Sequence, residues 1–267
     1  MRKALQNLLM ALVDTASACW PQPAPSREAL QSTRLVSHRG EHDNRQVLEN
    51  TLPAFRAARD AGVWGIECDI RWTADLVPVV VHDPDASRVF DDEAVISKLS
   101  FAALRERLPL IPGLAELVDE FGGNTHLMIE IKAEDYPDPA RQAAILAEHL
   151  KALTPGEDYH FLALDPALFQ HVSFAPPACC LPVAEFNVSA WSDAAIDRGY
   201  GGLTGHYLLL TNAIRDRHQS AGQRIGTGHI GSRNALFREL NRGVEWIFSN
   251  DAVAMQRVVQ QCLAEPA

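Results

Sequence analysis

No stretch of this 267-residue chain stays apolar for the ~20 residues that a helix needs to cross a bilayer, so stable membrane insertion is not expected. Positive charge is scarce as well. Its 24 Lys and Arg against 34 Asp and Glu leave a formal net charge of -10, which argues against non-specific binding to nucleic acid or an anionic membrane surface. An anionic small-molecule substrate would need local cations, from Lys, Arg or a bound metal, to override that field. Cysteine is sparse and unpatterned: Cys19, Cys68, Cys179, Cys180 and Cys262 are odd in number, two are adjacent, and none has metal-ligand spacing. A disulfide framework and a zinc site are thereby disfavoured, and reduced thiols in a cytoplasm are the simplest reading. With 47% hydrophobic and 22% charged residues, the composition is that of an ordinary globular protein with a sizeable core. The length suits one large α/β barrel or two small domains.

The opening "MRKALQNLLMALVDTASACW" has the basic start, apolar middle and small-residue end of a signal peptide. Gln6, Asn7 and Asp14 interrupt it, however, and Leu5, Leu8, Leu9, Leu12, Val13 and Ala16 recur at helical spacing. The expectation is a retained N-terminal helix and Pro-rich connector over 1–26, with export as the lesser alternative. "PQPAPS" ends that helix.

From residue 27 to 267 a single domain is expected. Strand candidates fall at 34–38, 65–70, 77–82, 126–132, 159–164, 178–184, 201–206, 223–230 and 244–249. Amphipathic stretches at 51–61, 113–121, 140–153, 211–221, 232–242 and 251–264 separate most of them. Alternation of this kind predicts parallel βα units and a TIM (β/α)8 barrel, with a doubly wound open sheet as the alternative. Nine strands exceed eight places. Only Arg71–Leu76 separate the second and third candidates, too few for a crossover, so an antiparallel hairpin is expected within a small hairpin/loop insertion near residues 71–112. A tip at Ala74 and Asp75 would set Glu67 opposite His82 and Asp69 opposite Val80; a one-residue slip would undo this.

Four strand ends, "SHRG", "IECD", "VVHD" and "IEIK", carry polar groups where a barrel keeps its active site. Glu67 and Asp69 are two apart and share a strand face, as do Glu130 and Lys132. Three oxygen ligands from Glu67, Asp69 and Glu130 would suit a hard cation such as Mg²⁺ or Ca²⁺. Each piece also has a plain structural reading. Glu130 with Lys132 makes an ion pair, Glu67 and Asp69 a solvated strand face, His82 before "DPD" a turn, and His38 a satisfied structural histidine. Arg39 can fork onto a phosphate, and Gly40 permits a positive φ in a tight strand exit. In "ENTLPAF", Asn50 or Thr51 caps a helix with Pro53 in its first turn, and Glu49 can reach the site.

"HRG", "ENTLPAF", "GIECDIRWTADLVPVVVHDPDASR" and "IEIK", in this order and spacing, resemble the glycerophosphodiester phosphodiesterase family over about residues 34–132. Beyond that the likeness is one of architecture. The resemblance implies a metal-dependent phosphodiesterase that cleaves glycerophosphodiesters to sn-glycerol 3-phosphate and an alcohol. It implies His38 and His82 as general acid and base, Glu67, Asp69 and Glu130 as metal ligands, and Arg39 and Lys132 as phosphate contacts. Three departures stand out. Eight residues, "EHDNRQVL", lie between Gly40 and Glu49, with Leu48 where the family commonly has proline. "IGTGHIGSRN" occupies the place of a "WTVN"-like strand whose tryptophan lines the family's site, and "IFSNDA" that of an "ITDYP"-like end. The wall that holds the glycerol or alcohol is therefore expected to differ, with His229 or Ser232 facing the pocket. Alternatives are a related phosphodiesterase of altered specificity (lysophospholipase D-like, or acting on a sugar or inositol phosphodiester) and a non-catalytic phosphodiester-binding barrel.

Overall fold

Short β-branched and apolar runs, each leading into a turn and an amphipathic stretch, build a closed sheet in the computed structural model, which describes residues 18–265. The strands are β1 (Arg34–His38), β2 (Gly65–Trp72), β3 (Pro78–Val80), β4 (His126–Ile131), β5 (Tyr159–Ala163), β6 (Cys180–Ala184), β7 (Gly202–His206), β8 (Arg224–Gly228) and β9 (Trp246–Ser249). All but β3 run parallel. β1 pairs with β2 on one side and β9 on the other, which closes the ring and excludes the open doubly wound sheet. The fold is the TIM (β/α)8 barrel.

Strand alternation sorts side chains into two layers. Ile66, Cys68 and Ile70 of β2 pack outward with Phe55, Leu117 and Phe121 of the surrounding helices. Val36, Met128, Leu162, Leu181, Trp246 and Phe248 fill the barrel interior. The N-terminal end of that interior is plugged: His126 and His160 are hydrogen-bonded at 2.8 Å, Trp64 stacks on His126 with centroids 4.3 Å apart, and Trp246 meets His160 edge-on. A small cleft among Ala29, Arg34, Leu240 and Glu245 lies at the N-terminal ends of β1 and β9. The charged strand ends of β1, β2 and β4 gather instead at the C-terminal mouth.

Most of the expected N-terminal helix lies outside the described residues. Residues 21–26 have no regular structure, and the Ser26 hydroxyl caps the helix Arg27–Gln31 by accepting from Ala29 N–H at 3.1 Å. Among the described residues no helix is long and apolar enough to cross a membrane.

The hairpin forms, but its expected register is wrong by one residue. Thr73 N–H donates to Val77 C=O at 3.1 Å, closing a loop of Ala74, Asp75 and Leu76, with Leu76 left-handed at φ +62°. Asp75 holds this three-residue loop, accepting from the Thr73 hydroxyl at 2.7 Å and from Phe101 N–H at 2.9 Å. Ile70, Arg71 and Trp72 consequently face Val80, Val79 and Pro78, and Asp69 is not opposite Val80. Glu67 is not opposite His82 either, because β3 ends at Val80 and His82 reaches the mouth from the bend beyond. The insertion continues through helices Ser87–Phe90 and Phe101–Arg107, around its own cluster of Val79, Val81, Ile96, Leu104 and Ile111.

Candidate active site

Register sets the charged strand ends level with one another. His38 is paired with Glu67 across β1 and β2, and Asp69 with Glu130 across β2 and β4. The chain leaves β1 through two left-handed residues, Arg39 at φ +60° and Gly40 at φ +80°. A Cβ at Gly40 would stand 2.7 Å from Ala54 Cβ, so both the dihedral and the space require glycine. The non-glycine residue Arg39 holds its strained conformation because Glu67 anchors it: its N–H points at the Glu67 carbonyl (3.0 Å) and at Oε2 (3.1 Å). Its guanidinium then lies 2.9 Å from Glu49 Oε1 and 3.1 Å from Asp69 Oδ2.

Oxygens of Glu67, Asp69 and Glu130 lie within 4.8 Å of one another. Lys132 Nζ stands 2.6 Å from Asp69 Oδ1 and 2.5 Å from Glu130 Oε1, so the ion pair read from the sequence is present as part of this larger cluster. Burial, then the charges of Asp69 and Glu130, push the Glu67 carboxyl well above its ordinary pKa. Burial and Asp69 also raise Glu130. Asp69 goes the other way: burial opposes its ionisation, but Lys132 and Arg39 together hold it below the usual range. Glu67 Oε1 is buried without a hydrogen-bond partner. Three converging carboxylates, one with an orphaned oxygen, fit a hard divalent cation, which would remove the mutual repulsion that now favours a proton on Glu67.

The two histidines are held from behind by unlike partners. His38 Nδ1 lies 2.6 Å from Asn250 Oδ1, a neutral amide, while its Nε2 lies 3.8 Å from Glu67 Oε2. Burial, then the Arg39 charge, bring its pKa down from 6.5 to about 4. His82 Nδ1 lies 2.7 Å from Asp83 Oδ1, a carboxylate, and its backbone carbonyl accepts from Arg71 Nε at 2.7 Å. Burial lowers the His82 pKa and the Asp69 charge opposes this. Arg88 joins the two sides. Its Nε is 2.5 Å from Asp83 Oδ2, and its terminal nitrogens fork onto both oxygens of Glu49 at 2.6 and 3.0 Å.

All seven residues singled out from the sequence therefore meet at one mouth. Several of their neighbours escape or mislead sequence reasoning. Asn50 is not a helix cap: Thr51 holds that place without a side-chain cap bond, and Asn50 Nδ2 donates to Asp69 Oδ2 at 2.8 Å. Asp83, read from the sequence only as part of a turn, is the carboxylate behind His82. Arg88 and Asn250 gave no local signal. Ser232, one of the two residues expected at the pocket, has its hydroxyl engaged in a helix cap, that of Arg233–Asn241, where it accepts from Ala235 N–H at 3.2 Å, the ordinary use of serine where a loop enters a helix. His229 is left-handed at φ +66°, 4.9 Å from the His206 ring, and near enough to His38 to disfavour its protonation.

Residues 38–165 match the Glycerophosphoryl diester phosphodiesterase family, over the stretch that holds all seven residues. Glycerophosphodiester phosphodiesterase 1 of Bos taurus is 32% identical over 136 residues, 43% of this chain and 40% of that protein. Its namesake in Rattus norvegicus is 39% identical over 95 residues, 33% of this chain and 28% of that one. The chain thus spans less than half the length of these curated relatives. Among solved structures, an Oleispira antarctica phosphodiesterase in complex with the product sn-glycerol-3-phosphate is similar, with a TM-score of 0.73 and 22% identity over 87% of this chain and 99% of that one. A glycerophosphodiester phosphodiesterase from Thermotoga maritima gives 0.71 and 20%, over 85% and 98%.

Proposed function

We propose, from the premise that the segment His38–Asp165 belongs to the glycerophosphoryl diester phosphodiesterase family, that this chain hydrolyses glycerophosphodiesters to sn-glycerol 3-phosphate and an alcohol with the help of Mg²⁺ or Ca²⁺. One observation carries the reading: three carboxylates converge within 4.8 Å at the barrel mouth, beside two cations and two histidines. The product named with the Oleispira antarctica structure supports the substrate class. Free thiols at all five cysteines suit a reducing cytoplasm.

Glu67, Asp69 and Glu130 hold the cation, which when bound supplies positive charge to the phosphoryl oxygens. Arg39 uses its Nη1 and Nε on Glu49 and Asp69, and turns its remaining donors to the phosphate. Lys132 adds a second positive charge. His38 donates its Nδ1 proton to Asn250 Oδ1, which leaves the lone pair at Nε2 to take a proton from water or from the substrate's own 2-hydroxyl. His82 donates Nδ1–H to the Asp83 carboxylate, which favours an imidazolium able to protonate the departing alkoxide. Positioned proton transfer of this kind is worth roughly 10² to 10⁴ in rate.

Glycerophosphocholine and glycerophosphoethanolamine, assayed by coupled detection of glycerol 3-phosphate, test this. Turnover is expected to stop with EDTA and to fall at least about 100-fold in His82→Ala. Turnover that survives both would overturn the mechanism.

A further inference from the structure

The two histidines reach the mouth by different means. His38 is the last residue of β1, set by the register of that strand against Glu67. His82 lies beyond any strand register: β3 ends at Val80, Val81 N–H donates to Asp69 C=O at 2.9 Å, and the chain then bends. What fixes it is a side chain from β2. Glu67, Asp69 and Arg71 share one strand face, and Arg71, the last of the three, donates Nε–H to the His82 carbonyl at 2.7 Å. That carbonyl belongs to the peptide plane joining His82 to Asp83, so the imidazole and the carboxylate 2.7 Å behind its Nδ1 hang from the same plane. Arg71 is itself held from the loop after β4, where Glu134 Oε2 lies 3.2 Å from its Nη1. Both side chains are largely buried, at 10% and 14% exposed. A buried ion pair gains little stability over an apolar pair of similar volume, so what it orients matters more than what it stabilises. From the same loop the Tyr136 hydroxyl donates to the Lys132 carbonyl at 3.0 Å. The loop after β4 thereby fastens the backbone of Lys132 and, through Arg71, that of His82.

We propose that Arg71, held by Glu134, is a positioning residue for His82: it fixes the His82–Asp83 peptide so that the imidazolium presents its Nε2 proton to the departing oxygen of the diester. This rests on the phosphodiesterase reading above, with His82 as the acid. Arg71 touches no reacting atom in this role. Asp69, Glu130, Arg39 and Lys132 make their ion pairs without it, so its loss releases the His82 bend alone. A displacement of ~1 Å at a reacting group can cost about 100-fold in rate. The defect is confined to one proton. When the phosphorus–oxygen bond to an alkoxide breaks, the electron pair stays on that oxygen, which takes the His82 proton. When the same bond to p-nitrophenolate breaks, the ring delocalises the pair and the proton is dispensable. Only the first reaction should feel the loss of Arg71.

The test compares the wild type with Arg71→Ala, Arg71→Lys, Glu134→Gln and His82→Ala, each supplied with Mg²⁺, on glycerophosphocholine and on the p-nitrophenyl ester of glycerol 3-phosphate. On glycerophosphocholine, Arg71→Ala is expected to lose about 10- to 100-fold in kcat with KM within about twofold. On the p-nitrophenyl ester it should stay within about threefold of the wild type, and so should His82→Ala. Arg71→Lys, which can reach the carbonyl but cannot hold Glu134 at the same time, should recover part of the loss. Glu134→Gln keeps the shape of the side chain and should show a smaller loss, again on glycerophosphocholine alone. Where the urea midpoint of Arg71→Ala collapses, Glu134→Gln decides by the same comparison. A loss equal on the two esters, or no loss on either, overturns the positioning role and leaves the phosphodiesterase reading standing. An equal loss on both esters in His82→Ala removes His82 as the acid and takes this inference with it. No turnover of either ester by the wild type defeats the underlying reading and the positioning role together.

Discussion

Arg88 is where the two histidine arms are tied together, since it holds both the carboxylate behind His82 and the carboxylate behind Arg39. Its replacement by alanine is expected to lower kcat by about 10- to 100-fold with a smaller change in KM, because supporting contacts orient groups without binding substrate. Arg88→Lys should recover only part of this, as an ammonium cannot fork onto Glu49 while reaching Asp83. Asn250 offers a test of charge. In Asn250→Asp a carboxylate beside Nδ1 would stabilise the His38 imidazolium and raise its pKa from about 4, so the acid limb of kcat/KM should move up by about 1 unit or more. An unchanged limb in the pH–rate profile would remove His38 as the base. Such residues show where sequence reading stops. His38, Glu67, Asp69, His82 and Glu130 announce themselves as polar residues at the ends of apolar strands. Asn250 meets His38 across 212 positions and Arg88 meets Glu49 across 39, and neither pairing exists before the barrel closes. Asn50 reads as a cap because asparagine before a helix usually is one.

Among the elements, strands were the most legible, as short apolar runs buried on both faces in a parallel barrel. The hairpin register was not, because the left-handed third loop residue is Leu76, where glycine or asparagine would have signalled it. The helix Val188–Asp197 also escapes sequence reading. It buries only Ser192 and Ala195, so its sequence has hardly any apolar period to read. The strand-to-turn exit at Gly40 is more demanding. Gly40→Ala should destabilise the protein by at least about 2 kcal/mol in urea titration, from the left-handed φ and the overlap with Ala54, and should cost activity by moving Arg39. A variant as stable and active as the parent would show that this exit can relax.

At the scale of the whole molecule, the barrel's plug and its mouth impose different pH dependences. Burial brings His126 to about 4 and His160 to about 3, from an ordinary value of 6.5. The unfolded chain therefore binds more protons than the folded one below about pH 6.5, and stability is lost as pH falls from there towards 3. The urea midpoint should decline over that window, and a midpoint constant from pH 7 to 4 would contradict a neutral plug. The architecture itself was legible from nine apolar runs and the intervals between them; the closure of β1 against both β2 and β9 was an inference from size alone. The -10 net charge gave a further hint, since a protein so acidic needs concentrated local cations to handle a phosphate. On the proposed function Arg39 and Lys132 would supply two, and the carboxylate triad has the donor set for a third. Chelator-treated protein titrated with Mg²⁺ or Ca²⁺, with glycerol 3-phosphate release from glycerophosphocholine as readout and Glu67→Gln alongside, tests that claim most directly. Turnover should return by at least about 100-fold on adding the cation to the wild type and not to the variant. Equal turnover with and without the cation would contradict it.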